Sequence, residues 1–181
     1  MISPIYRSSP KSSQGRNLTG TARLVRDLAA DIHANIQQWN NLHLQGVDCL
    51  KDITQEKQDK NYSETLQDLC DKLENICDTL DGIVENLEKI KNQLITVSAL
   101  HTTADKLFIT WPITKFGEVA ETIHKAYHME TKLKRKLFEN VAHNYTESWK
   151  MLHLAAWVYQ PLITEDLTIL LESLLTETGH R

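Results

Sequence analysis

Apolar residues recur at alternating three- and four-residue intervals through the middle of the chain. They are Leu66, Leu69, Leu73, Ile76, Leu80, Ile83, Leu87, Ile90, Leu94 and Val97. A repeat of about 3.5 residues places such side chains on one seam of a helix, which must face other helices. Leucine at a with mostly β-branched residues at d disfavours a two-stranded coil, and Cys70, Cys77 and Val84 widen the stripe. The pattern predicts a bundle helix over residues 64–100.

A second seam precedes this one. Its positions are Val25, Ala29, Ile32, Ile36, Trp39, His43, Gly46, Leu50 and Ile53. We expect this helix to weaken after about Leu44, because His43 and Gly46 occupy seam positions. The polar stretch 55–61 then forms the turn into the leucine-rich helix. Two seams joined by a short polar link predict a long antiparallel helical hairpin.

The final third of the chain begins with an unusual aromatic stretch that includes Trp111 and Pro112. The proline holds Trp111 out of helical geometry, and Thr114 is placed to cap a third helix that ends near Val141. The apolar stripe of this helix is Phe116, Val119, Ala120, Ile123, Tyr127, Leu133, Leu137 and Val141. The spacing predicts a third amphipathic helix.

Two shorter helices are predicted after it. The first covers about Thr146 to Tyr159 and ends before a proline. The second begins at Thr164, whose hydroxyl can cap it, and ends at Gly179, a typical C′ glycine. The C-terminal third therefore reads as a compact helical region.

Together these patterns predict an all-α fold. It comprises a helical hairpin with coiled-coil heptads over 20–100 and a C-terminal three-helix region over 101–181. Residues 1–19 form a predicted disordered basic tail, because the first 26 residues hold five basic side chains and no acid. A mitochondrial transit peptide is an alternative for this stretch, and its two Ser-Pro dipeptides are minimal sites for a proline-directed kinase. A plain solvated tail is the preferred interpretation.

Charge and cysteine content narrow the class of protein. The net charge is −4 and there are three cysteines. Cys70 and Cys77 lie two helical turns apart, too far for a disulfide within one helix, which agrees with a reducing compartment. The sequence has no apolar run long enough to predict a membrane span, and it has no apolar region near its start that would predict a secretory signal.

The basic stretch Lys132-Leu133-Lys134-Arg135-Lys136 raises a nucleic-acid-binding alternative, in which this cluster and the basic tail contact phosphates. Pairing with the acidic face of the leucine-rich helix, or simple solvation, is preferred because the chain as a whole is acidic. His124 and His128 stand one turn apart, but a third metal ligand is not evident. The sequence lacks phosphate-loop, nucleophile-elbow and HExxH motifs. We therefore expect no enzyme activity, no catalytic residues, no metal and no cofactor.

Several segments closely resemble the cyclin-dependent kinase 2-interacting protein family, chiefly over residues 20–45 and 107–181. They are Ala22-Arg23, Asp27-Leu28-Ala29-Ala30-Asp31, Trp39, Thr110-Trp111-Pro112 with Thr114 and Phe116, Leu133-Lys134-Arg135, Trp157 with Gln160-Pro161, Leu171-Glu172-Ser173-Leu174-Leu175, and Glu177-Thr178-Gly179-His180-Arg181. The leucine-rich helix matches by pattern, and the linker before Tyr62 is shorter than in the family.

The resemblance implies a non-enzymatic adaptor of the nucleus, with the cytoplasm as a second compartment. Members of the family are described as binding cyclin-dependent kinase 2, the origin-firing kinase and the checkpoint adaptor that interacts with the ATR kinase. They are also described as a subunit of an AAA ATPase assembly of the spermatogenesis-associated-5 type, paired with a second small helical protein. The implied processes are DNA replication, checkpoint signalling and repair, and late large-ribosomal-subunit maturation.

Two sets of residues are predicted to contact partners. The first is the seam itself: Leu66, Leu69, Leu73, Ile76, Leu80, Ile83, Leu87 and Ile90. The second is Trp111, Pro112 and Phe116, with the alternative that Trp111 and Phe116 pack the start of the third helix. The sequence leaves open whether the seam closes within the chain or on another subunit.

Overall fold

The computed structural model describes residues 19–56, 64–101, 106–141 and 146–181. The regular elements within these ranges are helices: α1 (Gly20–Glu56), α2 (Glu64–Leu100), α3 (Ile113–Val141), α4 (Glu147–Tyr159) and α5 (Glu165–Glu177). The predicted all-α fold is confirmed. The basic tail, its Ser-Pro dipeptides and most of the predicted turn after α1 lie outside the described residues.

The helices α1, α2 and α3 form an up-down-up bundle. The Cys49 thiol near the end of α1 donates a hydrogen bond to the Leu69 carbonyl near the start of α2, so these two helices are antiparallel. Asp78 and Asp81 of α2 bond Arg135 and Thr131 of α3, in reverse order along the chain. The helices α2 and α3 are therefore antiparallel as well, and α4 and α5 pack on α1 and α3.

The seam of α2 lies between α1 and α3. Eight of its ten side chains are buried: Leu66, Leu73, Ile76, Leu80, Ile83, Leu87, Ile90 and Leu94. Cys77 and Val84 beside them are buried as well. Leu69 and Val97 are half-buried against the same core. The chain's own helices thus cover the seam, while coiled-coil geometry and partner contacts along the seam stay predictions. So do the boundaries proposed for the hairpin and the C-terminal region.

The expectation that α1 weakens after Leu44 is wrong. The helix continues to Glu56, and Val47, Leu50 and Ile53 in its last turns are buried. The apolar pattern weakens at this point because His43 and Gly46 are poor core residues. In the structure, the Trp157 side chain of α4 contacts both of them.

Both ends of α5 lie where the sequence predicts them, but the predicted side-chain cap at its start is absent. Gly179 has φ +75°, and the His180 N–H donates to the Leu175 carbonyl at 2.8 Å, which closes a Schellman motif. Thr164 has the extended backbone of an N-cap, but its hydroxyl makes no capping hydrogen bond, and the same holds for Thr146 before α4. The predicted side-chain cap of α5 is therefore wrong.

Candidate partner-docking site

A carboxylate from α5 holds the loop that precedes α3. Glu177 Oε1 accepts hydrogen bonds from the backbone N–H groups of Ile109, Thr110 and Trp111 at 2.9, 2.6 and 2.8 Å. Its Oε2 accepts the Thr110 hydroxyl at 2.8 Å. Four donors on one carboxylate fix the backbone of three successive loop residues.

The protonation of Glu177 follows from these donors. Burial alone would raise the pKa of the carboxyl group, but the backbone N–H groups of Trp111, Thr110 and Ile109, with the Thr110 hydroxyl, together lower it. The group is therefore anionic at neutral pH, the state in which both oxygens accept hydrogen bonds. The loop is therefore joined to α5 by hydrogen bonds to a charged acceptor.

The three residues predicted as a partner contact occupy different environments. Phe116 is fully buried, and its ring packs against Phe108 and Trp111 at centroid distances of 5.6 and 5.4 Å. Trp111 is half-buried and Pro112 is exposed. Phe116 and the buried part of Trp111 therefore pack the start of α3, as the alternative held, while the rest of Trp111 and Pro112 lie at the surface.

Thr114 does not cap α3, contrary to the prediction. The Pro112 carbonyl accepts a hydrogen bond from the Lys115 N–H at 3.0 Å, so the helix begins at Ile113. Thr114 therefore lies inside the first turn. Because the helix begins at Ile113, Trp111 and Pro112 directly precede its first turn.

A shallow groove runs between this loop and α5. We call it the Trp111 groove; it is lined by Trp111, Thr168, Ile169, Glu172, Ser173, Thr176 and Glu177. Ile169 is 63% exposed on one wall, and Ile109 is exposed nearby. Glu172 is paired with Arg181 at 2.9 Å, so the groove combines an apolar floor with hydroxyl groups and a compensated charge. Such a surface is suited to a protein ligand.

A buried polar cluster joins α1, α3 and α4 on another side of the molecule. Lys134 and Glu130 are both fully buried, with Lys134 Nζ 3.6 Å from Glu130 Oε1. The ammonium donates to the Trp157 carbonyl at 3.1 Å, lies 3.3 Å from His43 Nδ1, and sits over the Trp157 ring. We call these four residues the Lys134 cluster.

The cluster holds its ionisable groups away from water. Burial, followed by the nearby Lys134 charge, lowers the pKa of His43 to about 4. Burial lowers the pKa of Lys134 and raises that of Glu130, while their attraction opposes both shifts. Glu130 Oε2 accepts the Leu162 N–H at 3.1 Å, which ties the turn after α4 to α3. The cluster is therefore an anchor for α4.

A third contact completes this anchor. The Trp39 indole N–H donates to Gln160 Oε1 at 2.8 Å, and the Trp39 ring packs edge-on against Tyr127 of α3 at 4.9 Å. Gln160 has φ 43°, a left-handed conformation that is rare outside glycine, and it ends α4. The Trp39 bond thus holds a residue whose backbone is strained.

The chain is similar in sequence to several known proteins. Over 91% of its length it is 30% identical to the cyclin-dependent kinase 2-interacting protein of Bos taurus, 92% of which is covered. The chain belongs to the cyclin-dependent kinase 2-interacting protein family. The Homo sapiens protein of the same name is 29% identical over the same shares, and the Xenopus laevis protein is 42% identical over 41% of this chain and 36% of its own. No protein-family model matches.

The family resemblance read from the sequence is thereby confirmed, and the structure explains what its distinctive segments do. The Thr-Trp-Pro segment meets Glu177 in the held loop, and Trp39, Lys134, Trp157 and Gln160 meet around α4. Periodicity could not reveal these meetings, because each joins residues that are distant along the chain. Most of these side chains support the fold, whereas Trp111 also lines a groove.

The fold places the four basic residues of the 132–136 stretch in different environments. Lys134 is buried, and Arg135 bonds Asp78 and Asp81 of α2 at 2.7 and 2.5 Å. Lys132 and Lys136 alone remain exposed among the four basic residues. Pairing with the acidic helix was the preferred prediction and holds for Arg135. The nucleic-acid alternative therefore loses its continuous basic surface.

Histidines, cysteines and long apolar helices are the other features that could carry function in the described ranges. His124 and His128 stack at 5.5 Å, and the part of the chain with described coordinates holds no group of three or more His, Cys, Asp or Glu side chains able to bind a metal. Within those same ranges, none of the helices is long and apolar enough to span a bilayer. Cys49 and Cys77 are buried free thiols, and Cys70 is half-buried. The grooves and faces of the surface are the remaining candidates.

Proposed function

We propose that this protein is a non-enzymatic adaptor that binds cyclin-dependent kinase 2, and that the kinase docks at the Trp111 groove. Relatives that match nearly the whole chain carry that interaction in their name. The observation that carries the choice of surface is the loop held by Glu177 beside an open groove. A half-buried tryptophan at such a position is a frequent energetic centre of protein interfaces.

Rigidity supports the same surface. A docking loop that is already ordered loses little conformational entropy on binding. Glu177, which lies on α5, supplies that order because its carboxylate accepts hydrogen bonds from three consecutive N–H groups of the loop. Ile169 and Pro112 offer apolar contacts on either side of Trp111 without belonging to the core.

The test uses purified cyclin-dependent kinase 2 and the full chain in a calorimetric titration. We expect Trp111→Ala and Ile169→Gln each to weaken binding at least tenfold, or about 1.4 kcal/mol. Leu44→Gln is the matched control, since Leu44 on α1 is 61% exposed and Ile169 63%. Unchanged binding by both groove variants would reject the site.

Stability must be measured beside affinity. If Trp111→Ala lowers the unfolding midpoint as strongly as it lowers affinity, Trp111 acts through the fold. The surface variant Ile169→Gln then decides, because a side chain exposed to that degree contributes little to the core. Binding that survives Ile169→Gln together with Pro112→Ala would place the kinase elsewhere.

We infer the wider adaptor role from the same family membership. The partners are the origin-firing kinase, the ATR-interacting checkpoint adaptor, and an AAA ATPase assembly with its second small helical subunit, in the nucleus. The processes are replication, DNA damage signalling and repair, and late large-ribosomal-subunit maturation. Co-purification of the tagged full-length chain from nuclear extract tests this role, and recovery of neither the ATPase nor a kinase would reject it.

A further inference from the structure

The side of α4 that faces solvent is apolar. Five of its side chains are between 39 and 80% exposed: Met151, Leu152, Val158, Tyr159 and Leu162. Residues 151, 152, 158 and 159 recur with helical spacing on one side of α4, and Leu162 follows in the turn after it. We call these five residues the α4 outer face. Isolated exposed apolar residues are ordinary, but a contiguous set is not.

The inner side of the same helix carries the polar groups. Lys150, His153 and Trp157 are the buried residues of α4. Trp157 is held by the Lys134 cluster, and its indole N–H donates to the His43 carbonyl at 3.3 Å. A surface helix ordinarily turns its apolar side to the core and its polar side to water. The attachment of α4 thus leaves its most apolar side available.

The size of this face indicates what could cover it. From their exposed fractions, the five side chains present on the order of 500 Å² of largely apolar surface, the upper end for a patch on a monomer. A stable interface between two domains buries about 800 Å² on each partner. One helix laid along α4 matches the available area better than a second whole domain.

Charge indicates the chemistry of that helix. Among exposed residues of the segment 146–170, the charged ones are Glu147, Glu165 and Asp166. The single basic residue there, Lys150, is buried and bonds Glu147 at 2.8 Å. That pair is compensated, so the net negative charge of the segment is that of Glu165 and Asp166 at the start of α5, and two copies would bring two such negative segments together. A partner with basic residues would complement it.

We propose that the α4 outer face binds an amphipathic helix of another protein, with lysine or arginine beside its apolar stripe. The proposal rests on the adaptor function and adds a second docking surface, distinct in residues from the Trp111 groove. An adaptor with two separate surfaces can hold a kinase and a helical partner at the same time.

Two designed peptides test the proposal on the full chain. One is a helix of leucine and lysine, and the other has the same leucine pattern with glutamate in place of lysine. By fluorescence anisotropy we expect the lysine peptide to bind at least tenfold more tightly than the glutamate peptide. Leu152→Gln with Tyr159→Gln should weaken lysine-peptide binding at least tenfold. Ile169→Gln should not, because Ile169 lies in the Trp111 groove, although its exposure of 63% falls between the 55% of Leu152 and the 80% of Tyr159.

Several results would overturn the proposal. These are equal binding of both peptides, unchanged binding by the α4 double variant, and competition by a synthetic peptide of residues 1–18, which would assign the face to this chain's own segment. A dimer in sedimentation equilibrium that the double variant abolishes would assign the face to a second copy.

Kinase titrations on the same variants separate the two proposals. If the wild-type protein binds the kinase but not the lysine peptide, the α4 outer face is rejected as a docking surface and the adaptor function stands. If it binds the lysine peptide but not the kinase, the kinase-binding function is rejected and the α4 outer face stands.

Discussion

At the scale of single residues, Gly46 is defined by one neighbour. A Cβ atom at this position would overlap the Trp157 indole, lying 2.7 Å from its Cε2. Glycine in a helix interior costs roughly 1 kcal/mol relative to alanine, so the residue is retained against its own propensity. The missing side chain leaves a space on α1 that receives Trp157, the buried tryptophan of α4.

Gly46→Ala should therefore destabilise the protein. Overpacking against a buried ring costs about 1–3 kcal/mol, which exceeds the gain in helix propensity. Gly82→Ala is the matched control in α2, because nothing lies within 4 Å of its added Cβ, and it should stabilise by about 0.5–1 kcal/mol. Urea unfolding of both variants measures the difference. The same sign for the two substitutions would contradict this packing.

His43 provides a prediction for pH. Burial and the Lys134 charge hold its pKa near 4, below the ordinary 6.5, so the folded protein keeps the ring neutral. The unfolded chain binds the proton first, and stability that is complete above pH 6.5 is lost as pH falls towards 4. The loss should reach about 3 kcal/mol. His43→Gln should remove this part of the pH dependence, measured as the difference between the two unfolding curves over that range.

At the scale of elements, α4 depends on charges that α3 supplies. Removing one member of a buried ion pair leaves the other uncompensated, at a cost of about 3–5 kcal/mol. We expect Lys134→Met to show such a loss and faster hydrogen exchange in α4. Adding Glu130→Gln, which still accepts the Leu162 N–H, should recover much of it. Additive losses in the double variant would show that the two charges are not coupled.

The sequence predicted α1, α2, α3 and α5 well because each has a regular apolar stripe, whereas α4, whose buried residues are Lys150, His153 and Trp157, was predicted mainly from its bounds. It misassigned part of α3, where the four-three spacing continues through charged residues: Phe116, Ala120, Ile123, Tyr127, Glu130, Lys134, Leu137 and Val141. Leu133 was read as the seam residue, yet it is half-buried while Lys134 is fully buried. Charged residues are rarely buried without a partner. Lys134 pairs with Glu130 one turn before it on α3, and α1 and α4 supply the remaining contacts of its ammonium group. A periodic pattern carries no information about the contacts from α1 and α4.

The candidate site was less accessible to sequence reasoning. Trp111 and Pro112 stood out by composition, and Phe116 beside them proved to be core. The sequence did not single out Ile169, and the role of Glu177 depends on a loop far away in the chain. The groove forms where the loop before α3 meets α5, and the sequence of neither segment alone indicates it.

At the scale of the whole molecule, the leucine seam is shared by three helices of one chain. Leu80 is fully buried at its centre. We expect Leu80→Asp to abolish folding, because an unpaired carboxylate would be buried there. Circular dichroism measures the loss, and the exposed neighbour Thr79→Asp is the control. A variant that folds and assembles normally would show that the seam is open at this point.

The bonds of Glu177 have a consequence for the order of folding. They join residues separated by 66 to 68 positions. Contacts of such high sequence separation close large loops and tend to form late. A chain in which α1, α2 and α3 have already associated, but α5 has not docked, lacks the ordered loop and one wall of the groove. We therefore expect the groove to distinguish a completed fold from a nearly completed one, so that a partner engages finished molecules only.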